Sequence, residues 1–223
     1  MVSAPAGLVR RQITLAPGSP LRGLAGPGGE LWFVIAGTGR LDVGTLRDAA
    51  VGAGTGCRIP PGAEYRLRAE EDILLDAVAL PAPPPATATT RAGTGGTAGT
   101  AIGEEPRLSE LAGCEVERTG DRRFRVLLGP GRGCEAATQF VGEIPFGRAP
   151  AHKHTYDEVV HVMGGNGIVH LDGLERPISA GSCIYIPPHT PHCLENTGTE
   201  ILRVLGVFHP GGSPAAKTAA SDR

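Results

Sequence analysis

The seven histidines of this chain, His152, His154, His161, His170, His189, His192 and His209, all fall between residues 152 and 209. Imidazole is the commonest protein metal ligand and titrates near neutral pH, so chemistry is expected in that stretch. On an extended backbone, His152-Lys153-His154 puts two imidazoles on one face and Lys153 on the other, because successive side chains alternate. Glu158 follows Thr155-Tyr156-Asp157, a stretch that can turn the chain so that its carboxylate joins them. His192 follows the turn-rich Pro187-Pro188-His189-Thr190-Pro191. Three neutral imidazoles and one carboxylate suit one divalent ion such as Fe, Mn, Ni, Zn or Co. Four ligands on an octahedral ion leave two positions for water, substrate or dioxygen, as a catalytic rather than a closed structural site requires.

The remaining polar candidates are weaker. His161 shares a strand with Glu158 and by alternation faces away from it. His170, Gln139 and Tyr185 are candidate substrate-lining residues. His189 is expected on a solvent-facing turn and His209 at a strand end. Gly164-Gly165-Asn166-Gly167 reads as a hairpin turn; no helix pattern or Lys-Ser/Thr follows to make it a phosphate loop.

The elements that must position these groups read as strands. Leu31–Ile35, Asp72–Leu80, Phe124–Leu128, Val159–Met163, Cys183–Ile186 and Ile201–Phe208 are short apolar or alternating runs, most of them bounded by Gly, Pro or Asn. Only Leu108–Leu111 suggests a helical turn. The chain also repeats: Glu30-Leu-Trp-Phe-Val34 through Gly39 lies over Glu158-Val-Val-His-Val162 through Gly167 at a shift of 128. Gly54 through Gly62 lies over Gly181 through His189 at a shift of 127, matching Pro60-Pro61 with Pro187-Pro188. Duplication accounts for both.

Residues 81–103 carry four Pro, five Gly, six Thr and six Ala with one charge. Such a stretch cannot offset its ordering entropy by burial, so a flexible linker is expected between modules at 1–80 and 104–210, with a disordered tail at 211–223. The 34 glycines and 20 prolines make a helical bundle improbable, and the formal charge of −2 gives no basic surface for nucleic acid or an anionic membrane. No apolar run reaches membrane-spanning length and no signal segment opens the sequence. Five cysteines without a C-x-x-C pair read as reduced thiols, so a cytoplasmic protein is expected.

With these residues in view, Gly147-x4-His152-x-His154-x3-Glu158-x6-Gly165 resembles the first motif of the cupin superfamily, and Gly181-x5-Pro187-x4-His192-x3-Asn196 resembles the second. His189 departs from the second motif, where glycine is usual. The resemblance implies an all-β protein of two tandem cupin-type jelly-roll barrels, with His152, His154, Glu158 and His192 as metal ligands in the second. In the first module the ligand positions fall on Leu24, Gly26 and Tyr65, and only Glu30 survives, so that barrel is expected to be degenerate and metal-free. The activity expected first is an Fe(II) dioxygenase acting on a small organic metabolite. The alternatives are a non-redox metal-dependent isomerase, cyclase, decarboxylase or lyase, and a non-catalytic small-molecule-binding cupin. A homodimer is a further expectation.

Overall fold

The computed structural model describes residues 7–83 and 105–215 and the backbone of residues 218–219. The expected linker falls, apart from 81–83, outside the described residues. In the first part of the chain lie β1 (Val9–Leu15), β2 (Leu21–Leu24), β3 (Glu30–Ala36), β4 (Thr38–Val43), β5 (Leu46–Gly52), β6 (Thr55–Ile59), β7 (Glu64–Ala69) and β8 (Ile73–Ala79). After residue 105 come β9 (Arg107–Glu110), a 3-10 turn at Leu111–Gly113, β10 (Glu117–Thr119), β11 (Arg122–Leu128), β12 (Thr138–Ile144), β13 (Gly147–Arg148) and β14 (His152–Lys153). They are followed by β15 (Asp157–Gly164), β16 (Asn166–Leu171), β17 (Leu174–Ser179), β18 (Cys183–Ile186), β19 (His192–Asn196), β20 (Leu202–His209) and β21 (Thr218–Ala219).

The protein is all-β, as the strand pattern predicts, and forms two sandwich-like barrels. The first sets the sheet β1-β8-β3-β6-β9 against β2-β7-β4-β5. The second sets β10-β11-β12-β20-β15-β18 against β17-β16-β19-β14-β21, with β13 added to β19. In β15, Glu158, Val160 and Val162 point into the second barrel while Val159 and His161 point out of it, the alternation expected of a pleated strand.

The duplication shows in backbone detail. Gly37 and Gly165 both take a φ of +82° at the turn between matched strands. A Cβ at either would press on backbone oxygen, Asp72 O at 2.1 Å or Ile201 O at 2.7 Å. Both β3 and β15 slip register against their neighbour at matched points, Val34/Ala36 and Val162/Gly164.

Among the described residues, three apolar clusters hold the molecule. One fills the first barrel around Trp32, Leu41, Ile59 and Leu67, and one fills the second around Ile144, Val162, Ile186 and Leu202. The third lies between the barrels, joining Leu31, Phe33 and Val78 to Leu127, Leu128, Val141, Leu205 and Val207. Each such side chain removed from water contributes roughly 1.5–3 kcal/mol, so the seam is a shared core rather than a loose contact. Polar pairs cross it as well: Gln139 Nε2 donates to Trp32 O at 3.2 Å, and His161 Nδ1 lies 2.9 Å from Asp76 Oδ2, which also accepts from Arg10 Nε at 2.7 Å.

Two sequence expectations are corrected here. Leu108–Leu111 is chiefly strand, because Arg107–Glu110 pairs with Arg58–Thr55 of β6; the helical turn follows at Leu111–Gly113. The start of the expected second module thus hydrogen-bonds to the first barrel. The expected disordered tail is partly structured: Gly212 exchanges two hydrogen bonds with Thr138 Oγ1, at 2.8 and 3.0 Å, and β21 pairs its backbone with β14.

Candidate metal centre

The centre is assembled at one end of the second barrel by three strands. β14 is short and sets His152 in register opposite His192, the first residue of β19. Glu158 is the second residue of β15, inside the barrel and opposite Ile186 of β18. The turn between His154 and Glu158 is pinned where His189 N donates to His154 O at 2.7 Å. His154, Glu158 and His192 are all buried, at 5%, 8% and 4% exposure, and one donor atom from each lies within 4.8 Å of the others. Among the described residues this is the one group of three or more His, Cys, Asp or Glu side chains so converged. The His152 ring lies beside it, its centroid 4.4 Å from His192 and 6.4 Å from His154.

Local carbonyls orient the imidazoles. His154 Nδ1 lies 2.9 Å from Tyr156 O and His192 Nδ1 lies 2.8 Å from Thr190 O, so each donates an Nδ1–H to backbone. In a neutral ring that choice leaves Nε2 with the lone pair, aimed into the group. His154 Nε2 then faces Glu158 Oε2 at 2.9 Å, two lone-pair bearers in contact. A proton on that nitrogen or a metal cation would satisfy the contact, and a divalent ion fits the donor set of imidazole nitrogen and carboxylate oxygen.

The group opens on a cavity of about 90 Å³, several times the ~10–15 Å³ that one water needs. Its walls are largely apolar, including Phe124, Phe140, Val160, Ile186, Leu194 and Phe208. Arg122, on the hairpin β10–β11, reaches across to donate to Leu194 O at 2.6 Å. Burial pulls its pKa below the ordinary arginine value. Arg123 lines the cavity too, but its Nε is paired with Glu143 Oε2 at 3.2 Å. Tyr156 is stacked between His154 and Phe208, and burial, aided by the Glu158 charge, raises its pKa.

The structure brings all four expected ligands to this cavity, but not the three expected lining residues. Gln139 points to the inter-barrel seam, because Phe140 and Gly142, its alternates on β12, take the inward face. His170 lies on the outer face of β16, its ring nitrogens 3.0 Å from Glu175 Oε1 and 2.7 Å from Glu195 Oε2. Tyr185 is 46% exposed and bonds Asp157, while its neighbours Ile184 and Ile186 fill the core. The sequence reading missed Arg122, Tyr156, Phe140 and Phe208. Phe140 and Phe208 lie on strands where the sequence fixes no inward reference, and Arg122 sits in a charged run that reads as a solvated face.

At the matching place in the first barrel the chemistry is different. Glu30 accepts two hydrogen bonds from Arg11 Nη2, both at 2.9 Å, and one from Trp32 Nε1 at 2.6 Å. Tyr65, in the place of His192, packs edge-on against Trp32 with centroids 4.7 Å apart. A guanidinium and an indole therefore satisfy the carboxylate whose counterpart faces imidazoles in the second barrel.

Comparison with known proteins agrees with the geometry. Residues 142–208 match the family model described as Cupin domain. An uncharacterized protein of Methanocaldococcus jannaschii is 40% identical over 60 residues, 26% of this chain and 48% of that protein. An oxalate-binding protein of Thermotoga maritima is 34% identical over 58 residues, again 26% of this chain and 48% of that protein. The chain thus spans about half the length of these curated relatives. Among solved structures, a variant of Bacillus subtilis oxalate decarboxylase superposes with a TM-score of 0.72 at 16% identity, covering 96% of this chain and 71% of that one.

Proposed function

The second barrel is a cupin domain, and from that premise we propose that His152, His154, Glu158 and His192 hold one divalent transition ion in an enzyme acting on a compact carboxylate metabolite. The observation that carries this reading is the convergence of three buried donors within 4.8 Å at the floor of a small, apolar-walled cavity. When bound, such an ion supplies Lewis-acid polarisation of a substrate oxygen. The chain's own residues do the rest. Carbonyls of Tyr156 and Thr190 hold two imidazoles in the ligating tautomer, the aromatic and aliphatic walls exclude water, and Arg122 offers a fixed positive charge to a carboxylate. The oxalate named for one relative and one structural neighbour supports a compact carboxylate.

The test is to measure the metal content of the purified protein and its turnover of small mono- and dicarboxylates. Near one ion per chain is expected, with Arg122→Ala weakening carboxylate binding about tenfold or more and leaving metal content unchanged. Equal handling of carboxylates by wild type and Arg122→Ala would sink the assignment of Arg122. A second reading, the Fe(II) dioxygenase, is favoured by the apolar walls, which suit a non-polar gas. Oxygen uptake by iron-loaded protein during turnover selects it; activity retained with Zn and without oxygen selects a lyase or decarboxylase. Carboxylate binding with no turnover in any metal form leaves a binding module.

A further inference from the structure

Tyr156 lies midway in sequence between two of the proposed ligands and touches the site twice over. Its carbonyl accepts the Nδ1–H of His154 at 2.9 Å. Its ring stacks on His154 at 4.0 Å and 11°, and on Phe208 at 4.1 Å and 18°. Two near-parallel neighbours at such distances cover both faces of the ring, so only its edge and hydroxyl are left to meet the contents of the cavity it lines. Among the described residues no group hydrogen-bonds that hydroxyl, whereas the hydroxyl of Tyr185 is bonded to Asp157. The Nδ1–H groups of His154 and His192 are committed to carbonyls, and Arg122 gives one of its N–H groups to Leu194 O, leaving others for the cavity. Tyr156 is half-buried and its hydroxyl is open to the cavity, so a ligand oxygen that reaches it takes the place of water.

We infer that the Tyr156 hydroxyl donates a hydrogen bond to an anionic oxygen of the ligand held at the His–Glu group. This rests on the proposed reading of that group as a metal centre. The ligand class follows from the donors: one oxygen for the ion, and a second, negatively charged oxygen within reach of the phenol, as in a carboxylate or an enolate. A compact amide or alcohol of the same size would accept a weaker bond there, so Tyr156 adds selectivity for oxyanions to the charge that Arg122 supplies.

The experiment uses the full chain loaded with Co(II), with oxalate as the probe, read by the visible absorption of the ion and by calorimetry. Tyr156→Phe keeps the stacked ring and loses only the hydroxyl. It is expected to take up Co(II) at the wild-type stoichiometry and to bind oxalate about tenfold or more weakly, the usual cost of losing a hydrogen bond to a charged group. Wild-type oxalate affinity in Tyr156→Phe would overturn the inference, and so would failure of the Co(II)-loaded wild type to bind oxalate. Failure of the wild type to take up Co(II) at all would remove the metal centre itself, and the inference with it; stoichiometry tells that case from the others.

Discussion

A neutral imidazole has one lone pair to give, and in this protein backbone carbonyls decide which nitrogen gives it. His154 and His192 each spend Nδ1 on a carbonyl two residues away, so their ligating ability is built into the turns around them. His154→Ala or His192→Ala is therefore expected to lower metal content at least tenfold by elemental analysis, while Tyr65→Phe in the first barrel leaves it unchanged; full metal in His192→Ala would contradict the ligand set. The thiols offer a second check. Cys57 is buried, and burial raises its pKa far above the thiol range; Cys183 is exposed, with its pKa raised less. A raised thiol pKa means less thiolate at a given pH, so alkylation followed by mass spectrometry should modify Cys183 well ahead of Cys57, at a rate rising with pH, and leave Cys57 intact in native protein. The convergence of His152, His154 and Glu158 was legible because they lie within seven residues, whereas His192 joins them from a later strand and was placed there by its motif. Arg122 was not legible, because its partner carbonyl lies 72 residues away.

Strand parity explains what could be read at the level of elements. Once Glu158 is placed inward, Val160 and Val162 must follow and His161 must leave, which the structure bears out in the pairing of His161 with Asp76. Parity could not be used for Gln139, His170 and Tyr185, because no inward reference was fixed on their strands, and all three proved to face outward. Matched glycines were legible as a repeat, and their reason is steric. A Cβ at Gly167 would sit 2.1 Å from Glu195 O on β19, and one at Gly39 would sit 2.3 Å from Arg68 O on β7. Gly167→Ala and Gly39→Ala should each cost about 1–3 kcal/mol, as overpacking does. At ~2–4 °C per kcal/mol for a chain of this size, thermal unfolding will show it. Gly167→Ala should also reduce metal affinity, since β19 carries His192, and Gly39→Ala should not. Equal metal loss in both would show that the defect is global.

The whole molecule is less divisible than its composition suggests. The Pro/Gly/Thr/Ala stretch reads as a boundary between two modules, yet it conceals the shared apolar seam and the strand that crosses it, because neither leaves a local signal. Residues 105–223 produced alone would expose Leu127, Leu128, Val141, Leu205 and Val207 and leave β9 without β6. That fragment is expected to aggregate, whereas the full chain should melt in one calorimetric transition; a soluble, cooperatively melting fragment would refute the seam's importance.

The crossing of β9 has a consequence for the covalent chain. The two halves are laced together, with a thread of the later one stitched into the earlier at Arg107–Glu110. A backbone break introduced between Pro83 and Glu105 would therefore sever the polymer without dividing the particle. The two pieces should elute together from a sizing column and part only in denaturant, so that a nicked chain stays one particle whose halves keep each other in shape.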